Sequence, residues 1–377
     1  KKIKLNNFFT YILVNKKMTI TFTRYLYNAD EVVLTFMECL LKQNNLEECY
    51  YWFYEYYKSG YVEESWNLLW KIYYDFYMIK NPKIEEKIKC KYLKWKENKD
   101  IKLPLWVVKN LFRLDKCHII FLLRVYYNNR NTDILTGDTI NLPGIQYKNK
   151  DEIQLVKSIK QKKKIAISFH LKRIKNDDRK LELVNKVLNK KIEFSCYNNK
   201  YHYLLAKIIQ TSKITSKKKV YYKMVMKKEL TNLLESDKSC RKEGKHEDVS
   251  YIYKTLSKRR IYGISKDIGC FNLSRENIDL NHLFWYHWEY YAYKCPLWRD
   301  RFEKCKIKVS DKKQLIEFED EDELEEFYEE YGYEPDEQSK EVQEKSICKI
   351  ERSNIKKWID SIFDKKLTKN IRMKITY

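Results

Sequence analysis

The sequence is poor in glycine and proline, with 7 and 5 in 377 residues. Collagen-like and linker-like chains need both in quantity and are excluded. Scarce glycine also argues against folds that cradle phosphates in glycine-rich loops, because few positions can take positive φ cheaply. No GxSxG elbow, P-loop or GxGxxG run is present, so the common nucleophile-elbow and nucleotide-binding signatures are missing. No CxxC or HxxxH pair occurs among 10 Cys and 6 His, and structural zinc sites ordinarily use such close pairs. No metal and no cofactor is expected. No apolar run reaches the length of a bilayer-spanning helix. The cysteines, at 39, 49, 90, 117, 196, 240, 270, 295, 305 and 348, are scattered. A disulfide-stapled secreted domain is shorter and denser in Cys, so reduced thiols in a cytosol-like compartment are expected.

What is present is aromatic and basic. Aromatics make up 15% and hydrophobics 44% of the chain, with 32 Tyr, which excludes wholesale disorder. Lys, Asn, Ile, Tyr and Phe share A/T-rich codons, and genome bias accounts for much of their abundance. The charge pattern is harder to assign to bias. The formal net charge is +23, and residues 145–262 carry 32 Lys and Arg against 12 Asp and Glu. A basic stretch of this kind is the footprint of a polyanion partner, nucleic acid first and an anionic membrane surface second.

The length suggests two or three domains. Residues 1–17 are basic at both ends with a short apolar middle, lack a small-residue cleavage site and precede Met18. They are read as upstream translation. Residues 18–145 read as a helical array. Asp30 precedes EVVLTFMECLLKQ, whose Val33, Leu34, Met37, Leu40 and Leu41 share a helix face. Asn45 is a cap with Glu48 three residues on, and Gly60 is a stop. Further helices follow over 62–81, 83–97, from Pro104, and after Asp115. Segment 136–152 is the linker. Residues 146–262 form a basic α-rich region, with Asp177 or Asp178 as a cap and KKKVYYKMVMKKELTNLLE ambiguous between strand and helix. The remainder, 263–377, is an aromatic and acidic α+β part, broken at Pro296, with a short strand at QLIEF and Gly332 as a helix stop. The predicted class is mainly α: irregular αα-hairpins, a basic middle and a small α+β C-terminal part.

Several constellations are weighed against blander readings. His282 and His287 are five apart and so on different helix faces. With Cys270, Cys295 and Cys305 nearby they make a weak metal candidate. Cys196 with His202, and Cys117 with His118, are chance neighbours in a chain with this many Cys and His. The acids of Glu317–Glu330 form a solvated run, unlike an isolated desolvated catalytic pair; their second use is docking on the basic middle. Trp52, Tyr56, Trp285, Trp288 and Tyr291 belong to segments aromatic on all helix faces, which are deeply buried or half buried against a partner. They are the candidate partner-binding residues, with core favoured over base stacking. The basic tracts are Lys162, Lys163, Lys164; Lys172, Arg173, Lys175; Lys217, Lys218, Lys219; and Lys258, Arg259, Arg260. Lys is a point charge without the fork that reads a base edge, so DNA or RNA would be held at phosphate with little sequence preference. A solvated Lys-rich face is the equal alternative.

TRYLYNADEVVLTFMECLLKQNNLEECYYWFYEYYKSGYVEESWNLLWKIYYDFY, together with WEYYAYKCPLWRDRF and IEFEDEDELEEFYEEYGYEPDEQSKEVQEKS, resembles a protein family of giant nucleocytoplasmic large DNA viruses, mimivirus-like in particular. The resemblance implies a host cytoplasm, viral factory or virion. It carries no catalytic signature, and no functional residues transfer. Three expectations follow. The first is a non-enzymatic viral structural or scaffolding protein, with viral protein partners at its aromatic helices and a polyanion at its basic middle. The second is a sequence-nonspecific nucleic-acid-binding factor in viral transcription or genome packaging. The third is a diverged enzyme.

Overall fold

The computed structural model describes residues 20–127, 135, 138–194, 196–211, 221–239, 282–283, 286–331 and 355–363. The chain is mainly α, as expected. In order the elements are α1 (Ala29–Lys42), α2 (Leu46–Lys58), α3 (Val62–Ile72) running into π-helix π1 (Tyr73–Tyr77), α4 (Ile84–Asn98), α5 (Lys102–Arg113), and α6 (Ile119–Leu122) running into π2 (Leu123–Tyr127). Then come α7 (Lys150–Lys160), α8 (Lys164–Arg173), α9 (Asp177–Leu188), α10 (Lys200–Gln210) and α11 (Lys227–Ser239). After them lie α12 (Trp288–Tyr293), α13 (Pro296–Phe302), β1 (Ile307–Ser310), β2 (Leu315–Phe318), α14 (Glu321–Tyr331) and α15 (Ile355–Ile362). The strands pair antiparallel, Ile307 opposite Phe318 and Ser310 opposite Leu315.

The chain divides into two compact units that interleave in sequence. One joins the residues up to Ser65 with Val225–Asn354; the other joins Trp66–Met224 with Ile355–Tyr377. The anticipated edge at 145 therefore falls inside the second unit, and the division passes through α3. The α1–α2 hairpin packs on α11 far along the chain, and the residues flanking it meet α12 and α13: Phe22 lies edge-on to Tyr291, and Trp298 Nε1 donates to Thr23 O at 3.1 Å.

Local signals set most helix ends. The Asn45 side chain accepts from Glu47 N at 2.9 Å and Glu48 N at 3.2 Å, the expected cap. Asn149 and Asn176 cap α7 and α9 in the same way, so the residue before Asp177 is the cap, not Asp177 or Asp178. Asp30 lies within the first turn of α1 behind Asn28, not ahead of the helix. Glycine scarcity does not prevent left-handed stops. Gln43, Lys99, Lys162 and Asn189 take φ of 58, 54, 59 and 49° at helix C-termini, conformations that cost L-residues free energy, and each donates its backbone N–H to a carbonyl of the last turn.

In the first unit, Gly60 follows α2 with φ +91°, and a Cβ there would lie 2.6 Å from Pro296 Cβ. Ser59 ties the same corner: its carbonyl accepts from Leu297 N at 3.2 Å and Cys295 Sγ at 3.0 Å, and its Oγ accepts from Arg24 N at 2.9 Å. Gly60→Ala combines left-handed strain with a clash against the first residue of α13. It is expected to cost more than about 1 kcal/mol in a urea melt; an unchanged midpoint would contradict this corner.

Trp52, Tyr56, Trp288 and Tyr291 are core, which corrects their assignment as partner-binding residues. Trp52 is 0% exposed and Trp288 1%. Trp52 meets Tyr27 and Tyr51 edge-on at 5.3 and 5.0 Å, and buried Tyr56 stacks on Tyr61 at 4.7 Å. Trp288 meets Trp298 at 5.6 Å, and buried Tyr291 bonds Gln314 through its hydroxyl at 3.0 Å. Short helices can hide so much ring area only by packing ring on ring, which leaves these groups no partner to recruit. Trp285 lies outside the described residues. The acidic helix α14 is anchored in this unit by Phe327, stacked on Phe302 at 4.5 Å, and most of its carboxylates face solvent, the charged face expected of that run.

Candidate functional site

Two constellations in the second unit carry chemistry. The first is buried. Asp75, at the centre of π1, receives Arg124 of π2 at two points, 2.9 and 2.7 Å. His202 of α10 places Nε2 2.9 Å from Asp75 Oδ1, at an angle poor for a straight hydrogen bond. Its Nδ1 lies 2.9 Å from the Tyr197 hydroxyl. Cys196, its neighbour in sequence, is not among these partners. Burial alone would raise the Asp75 carboxyl, but Arg124 and then His202 pull it well below the usual carboxylate range. Burial pushes the His202 imidazole down, against the pull of Asp75. A carboxylate, a histidine and a tyrosine in contact resemble an acid–base relay, and π-turns are frequent at functional sites. Asp75 and His202 are 1% and 0% exposed, so substrate has no access. The network is a structural clamp that holds two π-turns face to face.

The second is a surface. Helices α7 and α8 form an antiparallel hairpin, with α9 and α10 packed against it. Asp151 at the start of α7 meets His170 Nδ1 at 2.9 Å and Arg173 Nε at 3.1 Å, both near the end of α8. This places Lys172, Arg173 and Lys175 beside Lys148 and Lys150. Lys162, Lys163 and Lys164 close the opposite end of α8, ~15 Å away at 1.5 Å per residue. The two tracts thus mark the ends of one helical hairpin and do not converge on a point. Lys162, Lys163, Lys172, Arg173 and Lys175 are exposed, and Lys164 is half-buried. Lys217, Lys218, Lys219, Lys258, Arg259 and Arg260 lie outside the described residues.

A cleft of about 350 Å³ opens at the Lys175 end, lined by Lys148, Asn149, Glu152, Arg173, Ile174, Lys175, Asn176 and Arg179. Both capping asparagines line it, so the positive ends of α7 and α9 meet here. The charges differ in availability. Arg179 is committed to Glu152 at 2.8 Å and Glu182 at 2.8 Å, bonds that hold its guanidinium firmly charged. Burial would raise Glu152, but Arg179 holds its carboxyl below the ordinary value. Arg173 is partly neutralised by Asp151. Lys148 and Lys175 are exposed and make no ion pair among the described residues, and the same holds for Lys162 and Lys163 at the far end. Exposed carboxylates along this bundle are restricted, among the described residues, to Asp177, Asp178, Glu182 and Glu193.

Sequence reading missed Lys148, Asn149, Asn176 and Arg179. Their signal was present, because NKDE and NDDR each set an Asn before a first turn of acids, the pattern of a helix start. What a single sequence could not show is that the two starts share one cleft. Among the described residues no group of His, Cys, Asp or Glu could hold a metal, and no helix is long and apolar enough to cross a membrane. His282 and His287 lie ring to ring at 5.1 Å, and His287 Nδ1 lies 2.9 Å from Gln314 O. Comparison with protein-family models, curated proteins and solved structures finds no match.

Proposed function

We propose that the chain is a non-enzymatic binding protein whose working surface is the basic hairpin α7–α8 with the α9 cleft, and whose ligand is the phosphate backbone of a nucleic acid. The single observation that carries this reading is the set of exposed Lys148, Lys162, Lys163 and Lys175, none in an ion pair among the described residues, spread over ~15 Å on a surface with few exposed carboxylates. A spread of point charges suits a repeating polyanion better than one small anion. Lysine without a free arginine fork supports phosphate contact with little sequence preference. Burial of Trp52, Tyr56, Trp288 and Tyr291 supports the basic surface over these rings as the working face. The two resembling sequence blocks support a giant-virus setting, in a host cytoplasm, viral factory or virion.

The test is binding of mixed-sequence single- and double-stranded DNA and RNA across a salt series. Four phosphate contacts predict that the logarithm of the association constant falls with the logarithm of salt with a slope of roughly −3 to −4 on duplex DNA. Sequence changes in the probe should alter affinity little. Absence of binding at low salt, or binding indifferent to salt, would remove the proposal.

A further inference from the structure

Residues 221–224 cross the face of α5 in extended form, and the helix holds them by their backbone. Asn110 uses its carboxamide at both ends: Nδ2 donates to Lys223 O at 3.0 Å, and Oδ1 accepts from Lys223 N at 2.9 Å. Lys109 Nζ donates to Met224 O at 2.9 Å. Trp106, four residues before Asn110 and so on the same face, packs on the Tyr222 ring at 5.9 Å, and Lys87 Nζ lies over that ring at 5.3 Å.

The side chains tell the opposite story. Tyr221 is 71% and Met224 67% exposed, whereas Trp106, Lys109 and Asn110 beneath are 4, 4 and 3% exposed. A two-point carboxamide bond to the N–H and C=O of one residue is the contact a neighbouring β-strand would make, and it reads main chain without regard to side chain. The specific contact is one ring, seated between Trp106 and Lys87. A core segment would bury its large apolar groups; this one presents them to solvent and is gripped through its backbone.

We propose that the Trp106–Asn110 face of α5 is a binding site for an extended peptide of a partner protein, with one aromatic residue just ahead of the residue whose N–H and C=O Asn110 grips, and that residues 221–224 occupy it in cis as a displaceable strap. Recognition through backbone makes the strap exchangeable for any extended segment carrying that ring. The proposal goes beyond polyanion binding, since it uses neither Lys148 nor the lysines of the α7–α8 hairpin.

The probe is a fluorescent peptide of residues 220–227, titrated into the full chain by anisotropy at moderate salt. Lys223→Pro removes the N–H that Asn110 accepts and frees the site; it is expected to bind the peptide at least tenfold more tightly than the unaltered chain. Adding Asn110→Ala to that variant should abolish the gain, and a peptide with Pro in place of its Lys223 should not bind. Should Lys223→Pro fail to melt cooperatively, Tyr222→Ala, which empties the ring slot and leaves the backbone intact, carries the same comparison. Equal peptide affinity for the opened and unaltered chains, or a gain that survives Asn110→Ala, would overturn the proposal. A concentration-dependent dimer of the opened chain with no peptide binding would also overturn it, in favour of strap exchange between copies.

Discussion

Arg24→Met is expected to cost about 3–5 kcal/mol of stability, the loss seen when one partner of a buried ion pair is removed. The guanidinium bonds Glu55 at 2.7 Å and Asp237 at 2.5 Å, and the three side chains are 4, 0 and 3% exposed. Glu55 also accepts from Tyr25 N at 3.3 Å, and Asp237 from the Tyr25 hydroxyl at 3.1 Å. Burial works against the charge on Arg24, and Glu55, Tyr25 and Asp237 outweigh it. The cost therefore arises less from the missing attraction than from Glu55 and Asp237 left buried without the guanidinium that bridges them. Two consequences separate this cause from poorer packing. Arg24→Lys should rescue little, because an ammonium lacks the fork that reaches two acids at once. Neutralising both acids, as Glu55→Gln with Asp237→Asn, should recover much of the stability when combined with Arg24→Met. Urea melts of the unaltered chain, the two single variants and the triple variant make the comparison. A loss below about 1 kcal/mol for Arg24→Met, near the level of an exposed pair, would contradict the buried clamp.

Asp75→Ala is expected to be of similar size, about 3–5 kcal/mol, because it removes the buried carboxylate that Arg124 and His202 both meet in the second unit. The same site predicts an acid-side loss of stability. His202 has a folded pKa below its ordinary value of 6.5. Below pH 6.5 the unfolded chain therefore binds a proton that the folded chain refuses, and stability falls as pH falls, by about 1.4 kcal/mol per pH unit for this one group. Asp75 has a folded pKa below its ordinary 3.8, so its contribution is complete above that pH and declines as pH drops further. Two windows follow: His202 acts from 6.5 downward, and Asp75 joins only below 3.8. His202→Gln should flatten the stability profile just below pH 6.5 while leaving the lower window in place. A profile that keeps its slope in that variant would assign the loss to another group.

The parts of this fold that could be read in the sequence are those decided within a few residues. Asn45 with its first-turn acids, Gly60 after α2, Pro296 at the start of α13 and the β2 strand all lie where local chemistry puts them. The ambiguity of KKKVYYKMVMKKELTNLLE was real, because residues 221–226 are extended and a helix begins at Lys227. What could not be read depends on distant partners. The π-turns at Tyr73–Tyr77 and Leu123–Tyr127 exist around a contact between residues 49 apart in sequence. The burial of Trp52 and Trp288 was obscured because their segments are aromatic on every face, so no polar side marked the exposed direction. The interleaving of the two units has no local cause at all. For the candidate site, the lysines were visible as tracts, but which of them are free was not. Arg173 and Arg179 are spoken for by Asp151 and Glu152, carboxylates more than 20 residues away.

The proposed function rests on the exposed lysines of the α7–α9 surface holding phosphate. Its most direct test compares the salt dependence of duplex DNA binding for the unaltered chain and for a variant with Lys148, Lys162, Lys163 and Lys175 all changed to Gln. All four are exposed, so the variant should fold. The predicted result is a slope shallower by roughly 3–4, near 0.9 for each lysine neutralised, with most of the affinity gone at low salt. An unchanged slope and affinity would place any nucleic-acid binding elsewhere on the chain and contradict the account.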